Sequence, residues 1–295
     1  MTSASKYDFW VKFASRASVM TAFILIALKL FAWLYSGSAS MFASLADSFA
    51  DAASSIINFI AIRYALVPAD SNHRFGHGKA EPLAALSQSA FILGTAFLLF
   101  FYGGERLLSP SPLTNSYIGI WVSAIAILLT LGLVLIQHQA LKHTKSKVIA
   151  ADALHYKSDL LLNASVLGAL VLSQYGWWWI DGLFAIIIAA YLGKQSIQLA
   201  YDSIHELMDR DLGEAIQQRI IDIATKDPLV LGYHDLRTRQ SGKQVFVQLH
   251  LEFDGSLSLI DTHAIADKVE NDIAALFDHA EVLIHQDPVT TSFAE

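Results

Sequence analysis

The amino-acid sequence predicts an α-helical polytopic membrane protein of six transmembrane helices, followed by a C-terminal α+β domain of order αββαβ. Three observations predict it. Six segments are apolar and long enough to cross a bilayer, which takes about 20 residues as helix. Of the 295 residues, 54% are hydrophobic and 16% charged, with a mean hydropathy of +0.43. A soluble domain is nearer ~45–50% apolar and ~25% charged. From about residue 208 the character changes, because charged residues become frequent and no spanning run remains. The expected division is therefore a membrane domain over 1–207 and a soluble domain over 208–295.

The six spans are read at roughly 14–35, 41–66, 81–107, 117–138, 153–174 and 178–206. Lys6, Lys12 and Arg16 precede the first, with no small-residue cleavage site nearby, so the start reads as a short lead and not a cleaved signal. The links alternate in charge. Those after the first, third and fifth spans are short and nearly free of Lys and Arg, apart from Arg106. The second is flanked by Arg63, Arg74 and Lys79, and the fourth holds Lys142, Lys145 and Lys147. The positive-inside rule then puts both termini in the cytoplasm, with Trp33, Tyr35, Trp177, Trp178 and Trp179 as an outer aromatic belt. Lys29, near the outer end of the first span, is expected to snorkel toward that belt.

The soluble part begins with LGEAIQQRIIDIATKD, whose Ile216, Ile220, Ile221 and Ile223 supply the apolar side of a helix. LGYHDLRTRQ and KQVFVQLHLEF follow as strands joined at Ser241-Gly242. SLIDTHAIADKVENDIAALF reads as a second helix and AEVLIHQD as a third strand. That order suits a sheet with both helices on one face.

Charge and cysteine content exclude several classes. A net charge of −7 and a pI near 5.8 speak against nucleic-acid binding, which needs a basic patch. With no cysteine there are no disulfides, and any metal must be held by His and carboxylates. No Gly-rich phosphate loop is present, so ATP-driven transport is not supported within the chain, and no enzyme activity is read.

Three polar clusters remain. Asp47-x-x-x-Asp51 and His155-x-x-x-Asp159 each place two ionisable groups one helical turn apart, inside the second and fifth spans. A charge at bilayer depth costs at least ~2.5–3.5 kcal/mol on insertion scales, so it is rarely present without a use. Three carboxylates and an imidazole make a four-ligand set for a divalent metal. The plainer reading is polar packing between helices. The second cluster is Asp70, His73 and His77 in PADSNHRFGHGKAE, which is either a metal site at the inner membrane face or a solvated loop. The third lies in the soluble domain. Val245, Val247, Leu249 and Leu251 share one strand face, which leaves His250 on the other with Gln248 and Glu252. His234 on the first strand, and His285 and Asp287 on the last, reach what can be the same polar surface; His263 is on the second helix. That surface reads either as a site for one or two metal ions or as solvent-facing histidines.

At these residues the chain resembles the cation diffusion facilitators. The matching stretches are SLADSFADAASSIINFIAIRYALVPADSNHRFGHGKAEPLAAL, ADALHYKSDLLLNA, HDLRTRQSG and VLIHQDP. With the six spans and the αββαβ tail they cover essentially the whole chain. The resemblance implies a homodimer in the inner membrane with a metallochaperone-like cytoplasmic domain. It assigns the transport site to Asp47, Asp51, His155 and Asp159, and a second site to Asp70, His73 and His77. It places a two-metal cytoplasmic site on His234, His250, His285 and Asp287, with His263 also matching, and a dimer interlock on Lys79 and Asp209. No ligand position departs from the family pattern. The implied cargo is Zn2+, with Cd2+ and Fe2+ admitted because the first ligand is Asp.

The functional expectation is metal efflux by exchange for protons, since ligands must lose protons to bind metal. Its partners are a second copy of the chain, membrane lipid and protons as counter-ion. Two alternatives stay open: a membrane metal sensor that moves no ions, and a channel that moves metal without protons.

Overall fold

The computed structural model describes residues 3–36, 39–109, 117–173, 175–177 and 179–289. Trp178 of the expected aromatic belt, and residues 110–116 of the third link, lie outside the described residues. The chain divides into two compact units, one over Ser5–Ile204 and one from His205 onward, each taken by itself below.

The first unit is built from six long helices: α1 (Ser3–Ser36), α2 (Ala39–Ala65), α3 (Ala80–Leu108), α4 (Tyr117–Thr144), α5 (Lys147–Ser173) and α6 (Ile180–Leu207). Among the described residues, α1, α3, α4 and α6 each contain a stretch long and apolar enough to cross a membrane. The outward surface is oily: Phe31, Leu98, Leu128 and Trp121 are each about 70% exposed. Such a surface is unfavourable in water and natural against acyl chains. The interior packs apolar residues such as Val11, Ile62, Ile92, Leu133 and Leu192 together with polar ones. Asp51, Asn58, Gln88, Gln137, Asp152 and His155 are all buried. Chain breaks follow local chemistry. α3 carries Pro82 in its first turn, where the missing N–H costs nothing. α4 and α5 are separated by only Lys145 and Ser146, with Lys145 at φ 51° turning the backbone. α3 and α6 touch backbone to backbone, since a Cβ added to Gly103 would lie 2.8 Å from the Gly182 carbonyl oxygen.

Two helices begin well before the expected spans. α1 begins at Ser3 and α5 at Lys147, where the apolar runs begin near 14 and 153. Apolar length reports bilayer thickness, whereas backbone hydrogen bonding continues through any good helix former.

The second unit follows the expected order: α7 (Glu214–Ala224), β1 (Val230–Ser241), β2 (Gln244–Asp254), α8 (Leu259–Ala274) and β3 (Ala280–Val289). β2 is central, antiparallel to β1 and parallel to β3, and α8 provides the crossover that parallel pairing needs. Gly242 at φ 59° serves the β1–β2 turn. Ser258 caps α8, its Oγ accepting from Asp261 N at 3.2 Å. Alternate residues of β2 (Val245, Val247, Leu249, Leu251 and Phe253) join Val282 of β3 in one core with Ile220 and Ala224 of α7 and Val269 and Ile273 of α8. Both helices thus cover one sheet face, and the opposite face is left for His250 and its neighbours.

Candidate metal centres

The first cluster draws on two helices, α2 and α5. His155 Nε2 of α5 lies 3.0 Å from Asp51 Oδ1 of α2 and 3.8 Å from Asp159 Oδ2, one turn further along α5. Asp51, His155 and Asp159 each offer a ligand atom within 4.8 Å of the others. Zn2+ bonds to N and O are about 2.0–2.2 Å, so donors around a tetrahedral ion stand roughly 3.3–3.6 Å apart. The observed separations bracket that spacing, so the donor set fits a borderline divalent cation. Asp51 and His155 are buried, and Asp159 half-buried. Asp47, the fourth expected ligand, is exposed one turn before Asp51 and is not among the three gathered. Lys29 does not simply snorkel: its Nζ donates to the Ser44 carbonyl at 3.1 Å, tying α1 to α2.

The loop between α2 and α3 closes on itself. Asp70 Oδ1 is 3.5 Å from His73 Nδ1, and Asp70 Oδ2 is 3.4 Å from His77 Nε2. The backbone N–H groups of His73 and Asn72 donate to Asp70 Oδ1 at 2.7 and 2.8 Å, holding this carboxyl below its ordinary value of 3.8. His77 is buried, its ring 4.6 Å from that of Tyr64. Its Nδ1 lies 3.3 Å from the Val67 carbonyl, and with the N–H donating there, Nε2 is left as a bare acceptor aimed at Asp70. All three offer donor atoms within 4.8 Å of one another.

The sheet cluster is set by strand register. His234 pairs with His250 across β1 and β2, and His250 with His285 across β2 and β3. The three rings form a row, each 4.7 Å from the next. A bulge between His234 and Arg237, with Asp235 at φ 50°, interrupts the pairing beside the first of them, and it resumes at Arg237 with Gln248. Asp287 sits across the row: its Oδ2 is 2.7 Å from His250 Nδ1 and 3.1 Å from His234 Nε2, and its Oδ1 3.2 Å from His285 Nε2. The hydrogen bond from His250 holds the Asp287 carboxyl below its ordinary value, aided by the charges of His285 and His234. Imidazole nitrogens and carboxylate oxygens at these spacings fit one or two Zn2+-sized ions. His263 is not gathered within the chain. It is exposed on α8, 3.6 Å from Asp267.

Of the expected interlock, Lys79 is the N-cap residue of α3 in the first unit. Asp209, in the second, has φ 56° and pairs with Arg239 Nη1 at 3.4 Å.

Residues 15–208 match the family model described as the cation efflux transmembrane domain, and residues 212–289 that described as the cation efflux protein cytoplasmic domain. The chain belongs to the cation efflux family. The cation-efflux pump FieF of Shewanella oneidensis is 67% identical over 289 residues, covering 98% of each chain. The protein of that name from Escherichia coli strain K12/DH10B is 46% identical over 282 residues, covering 96% of this chain and 94% of that one. Among solved structures, the metal-bound C-terminal domain of the CzcD transporter from Thermotoga maritima is 25% identical. It covers 28% of this chain and 99% of its own, with a TM-score of 0.26. As a cation efflux family member, the chain is a multi-pass membrane transporter with a small α/β domain at its C-terminal end.

Sequence reasoning passed over a further buried network: Ser18, Asn58, Gln88, Gln137 and Asp152. The signal was available. Asp152 is an acid at the edge of the fifth apolar run, but a span read from 153 puts it in the fourth link. Glu81, the first residue of the expected third span, was also passed over. It is buried at the start of α3 and accepts from Tyr7 Oη at 2.8 Å and Ser146 Oγ at 2.6 Å.

Proposed function

We propose that this chain exports Zn2+ across the inner membrane in exchange for protons, with Cd2+ and Fe2+ as further cargo. The observation that carries the proposal is the meeting of Asp51, His155 and Asp159 between two membrane helices, at separations that suit one small divalent ion. With these three we assign Asp47, one turn away on α2, as the fourth ligand of the transporting state. Gathering three acids and an imidazole without sulfur sets metal against protons at the same atoms. Metal entering from the cytoplasm displaces protons, and reprotonation from outside releases it. His155, within reach of both Asp51 and Asp159, is the proton carrier. Helices rocking around this fixed point supply alternating access.

The working molecule is a homodimer with both chain ends cytoplasmic, a membrane domain over 1–207 and a regulatory domain over 208–295, with Lys79 and Asp209 as the interlock. His234, His250, His285 and Asp287, joined by His263, would hold regulatory Zn2+. When bound, such an ion cross-links strands and so tightens the domain. Asp70, His73 and His77 form a separate site at the inner face.

The test is flux in proteoliposomes with a metal-sensitive dye and a pH-sensitive dye inside. Wild-type protein should couple metal uptake to proton movement, and Asp51→Ala should abolish both. Uptake that survives Asp51→Ala rejects the site. Metal flux without proton flux makes the protein a channel, and no flux over empty liposomes makes it a sensor.

A further inference from the structure

The site described above leaves the buried acid at the start of its own helix α5 without a role. Asp152 lies on α5 one helical turn before His155 and is 4% exposed. Its Oδ2 accepts from Ser18 Oγ of α1 at 2.5 Å and from Gln137 Nε2 of α4 at 2.8 Å. Its Oδ1 accepts from Asn58 Nδ2 of α2 at 3.0 Å. Asn58 also donates to Gln88 of α3. One carboxylate therefore ties α5 to three other helices directly and to a fourth through Asn58. All three donors to it are neutral. An acid inside a membrane bundle is an expensive way to join helices, because an apolar residue of similar volume carries no desolvation cost. Its presence calls for something that packing does not supply, and direction is what hydrogen bonds supply.

The direction is visible along the α2–α5 contact. The two helices meet at three polar rungs: Asp51 with His155 at 3.0 Å, Ser55 with Tyr156 at 2.8 Å, and Asn58 with Asp152 at 3.0 Å. Residues 51, 55 and 58 fall on successive turns of one face of α2, and 152, 155 and 156 on one face of α5. Only the first rung contains metal ligands. The other two fix how far α5 slides along α2 and how it is rotated. A slip of one turn, about 5.4 Å, would take His155 off Asp51 altogether.

We propose that Asp152 is a positioning residue for the transport site: held by Ser18, Gln137 and Asn58, it sets the register of α5 against α2 so that His155 and Asp51 face the same ion. This rests on the reading of Asp51, His155 and Asp159 as that site. The tie works through hydrogen-bond geometry and not through the charge of Asp152. Two buried amide atoms make the distinction testable, because Gln88 Nε2 and Gln137 Oε1 have no hydrogen-bond partner among the described residues. An Asn at 152 presents an N–H toward Asn58. Turning over the Asn58 amide offers it an oxygen, and turning over Gln88 brings its idle N–H to that same oxygen. Asn can therefore keep the tie, and Ala cannot.

The experiment measures KM and maximal rate for Zn2+ uptake into proteoliposomes by the full-length wild type, Asp152→Asn, Asp152→Ala and Asp51→Ala. Asp152→Ala should raise KM by about 10- to 100-fold, the usual effect of losing a group that orients a metal ligand. Asp152→Asn should restore KM to near the wild-type value. If Asp152→Ala cannot be purified folded, Ser18→Ala and Asn58→Ala each remove one donor and should raise KM by a smaller factor in the same direction. An unchanged KM in Asp152→Ala, or in both single-donor variants, overturns the proposal, as does Asp152→Asn behaving like Asp152→Ala. The Asp51→Ala arm separates the two readings. Uptake that survives it rejects the transport site itself, whereas its loss together with a silent Asp152→Ala rejects only the positioning role.

Discussion

His250 Nδ1 lies 2.7 Å from Asp287 Oδ2, across the parallel pairing of β2 and β3. The bond holds the Asp287 carboxyl below its ordinary value of 3.8. A carboxyl whose folded value is depressed stabilises the fold above its unfolded value, and that contribution is lost as pH falls through the folded value. Asp287→Asn should therefore make the C-terminal unit less acid-sensitive below about pH 3.8. It should also weaken Zn2+ binding to this cluster at neutral pH by about tenfold or more. Circular dichroism across an acid titration and isothermal calorimetry on the full chain check the two effects.

His155→Ala removes a nitrogen that lies within 4 Å of both Asp51 and Asp159. Zn2+ uptake should fall by about 10- to 100-fold, because the remaining carboxylates lose the ligand between them. His155→Asp keeps a metal ligand but replaces an imidazole, neutral once its proton is lost, with a carboxyl that becomes an anion. Its pH–rate profile should differ from that of the wild type, as dye-reported uptake at a series of pH values will show; an unchanged profile would rule out His155 as the proton carrier.

At the loop, the backbone N–H groups of His73 and Asn72 hold the Asp70 carboxyl below its ordinary value. His77→Ala should abolish metal binding at the loop site while leaving that at Asp51, His155 and Asp159 in place. It should also cost about 1–3 kcal/mol of stability, because a buried ring packed on Tyr64 is lost and the Val67 carbonyl loses its donor. Counting bound metal per chain with and without the substitution, together with melting in detergent, tests both.

Gly103→Ala should destabilise the membrane unit by about 1–3 kcal/mol, because its Cβ meets the Gly182 carbonyl oxygen at 2.8 Å and backbone cannot step aside. Gly104→Ala is the control. Nothing lies within 4 Å of its Cβ, so the change should be neutral or slightly stabilising. Thermal melting in detergent distinguishes the neighbours.

The soluble fold was legible because its signals are local. The alternation of Val245, Val247, Leu249 and Leu251 announces a half-buried strand and places His250 on the face opposite the core. That His234, His250 and His285 share one register position is a pairing fact that no single segment carries. The spacing of Asp51, and of His155 with Asp159, predicted helix faces, but which helices meet depends on packing over a hundred residues of separation. Asp47 shows that limit: it obeys the same one-turn spacing and remains exposed. Asp152 was lost for a different reason. The expected fifth span starts at 153, one residue past Asp152, whereas the helix and its buried polar network extend earlier.

The row of histidines has a consequence for how metal preference can change over generations. Neighbouring strands are held about 4.8 Å apart by backbone hydrogen bonds that are indifferent to side-chain identity. The sheet therefore acts as a ruler, with one mark per strand at the level of His250. Replacing a side chain at any mark changes the hardness or the count of donors without moving the other marks or disturbing the hydrophobic face beneath. A lineage facing a different metal in its surroundings can retune this surface one residue at a time and keep a folded domain at every step.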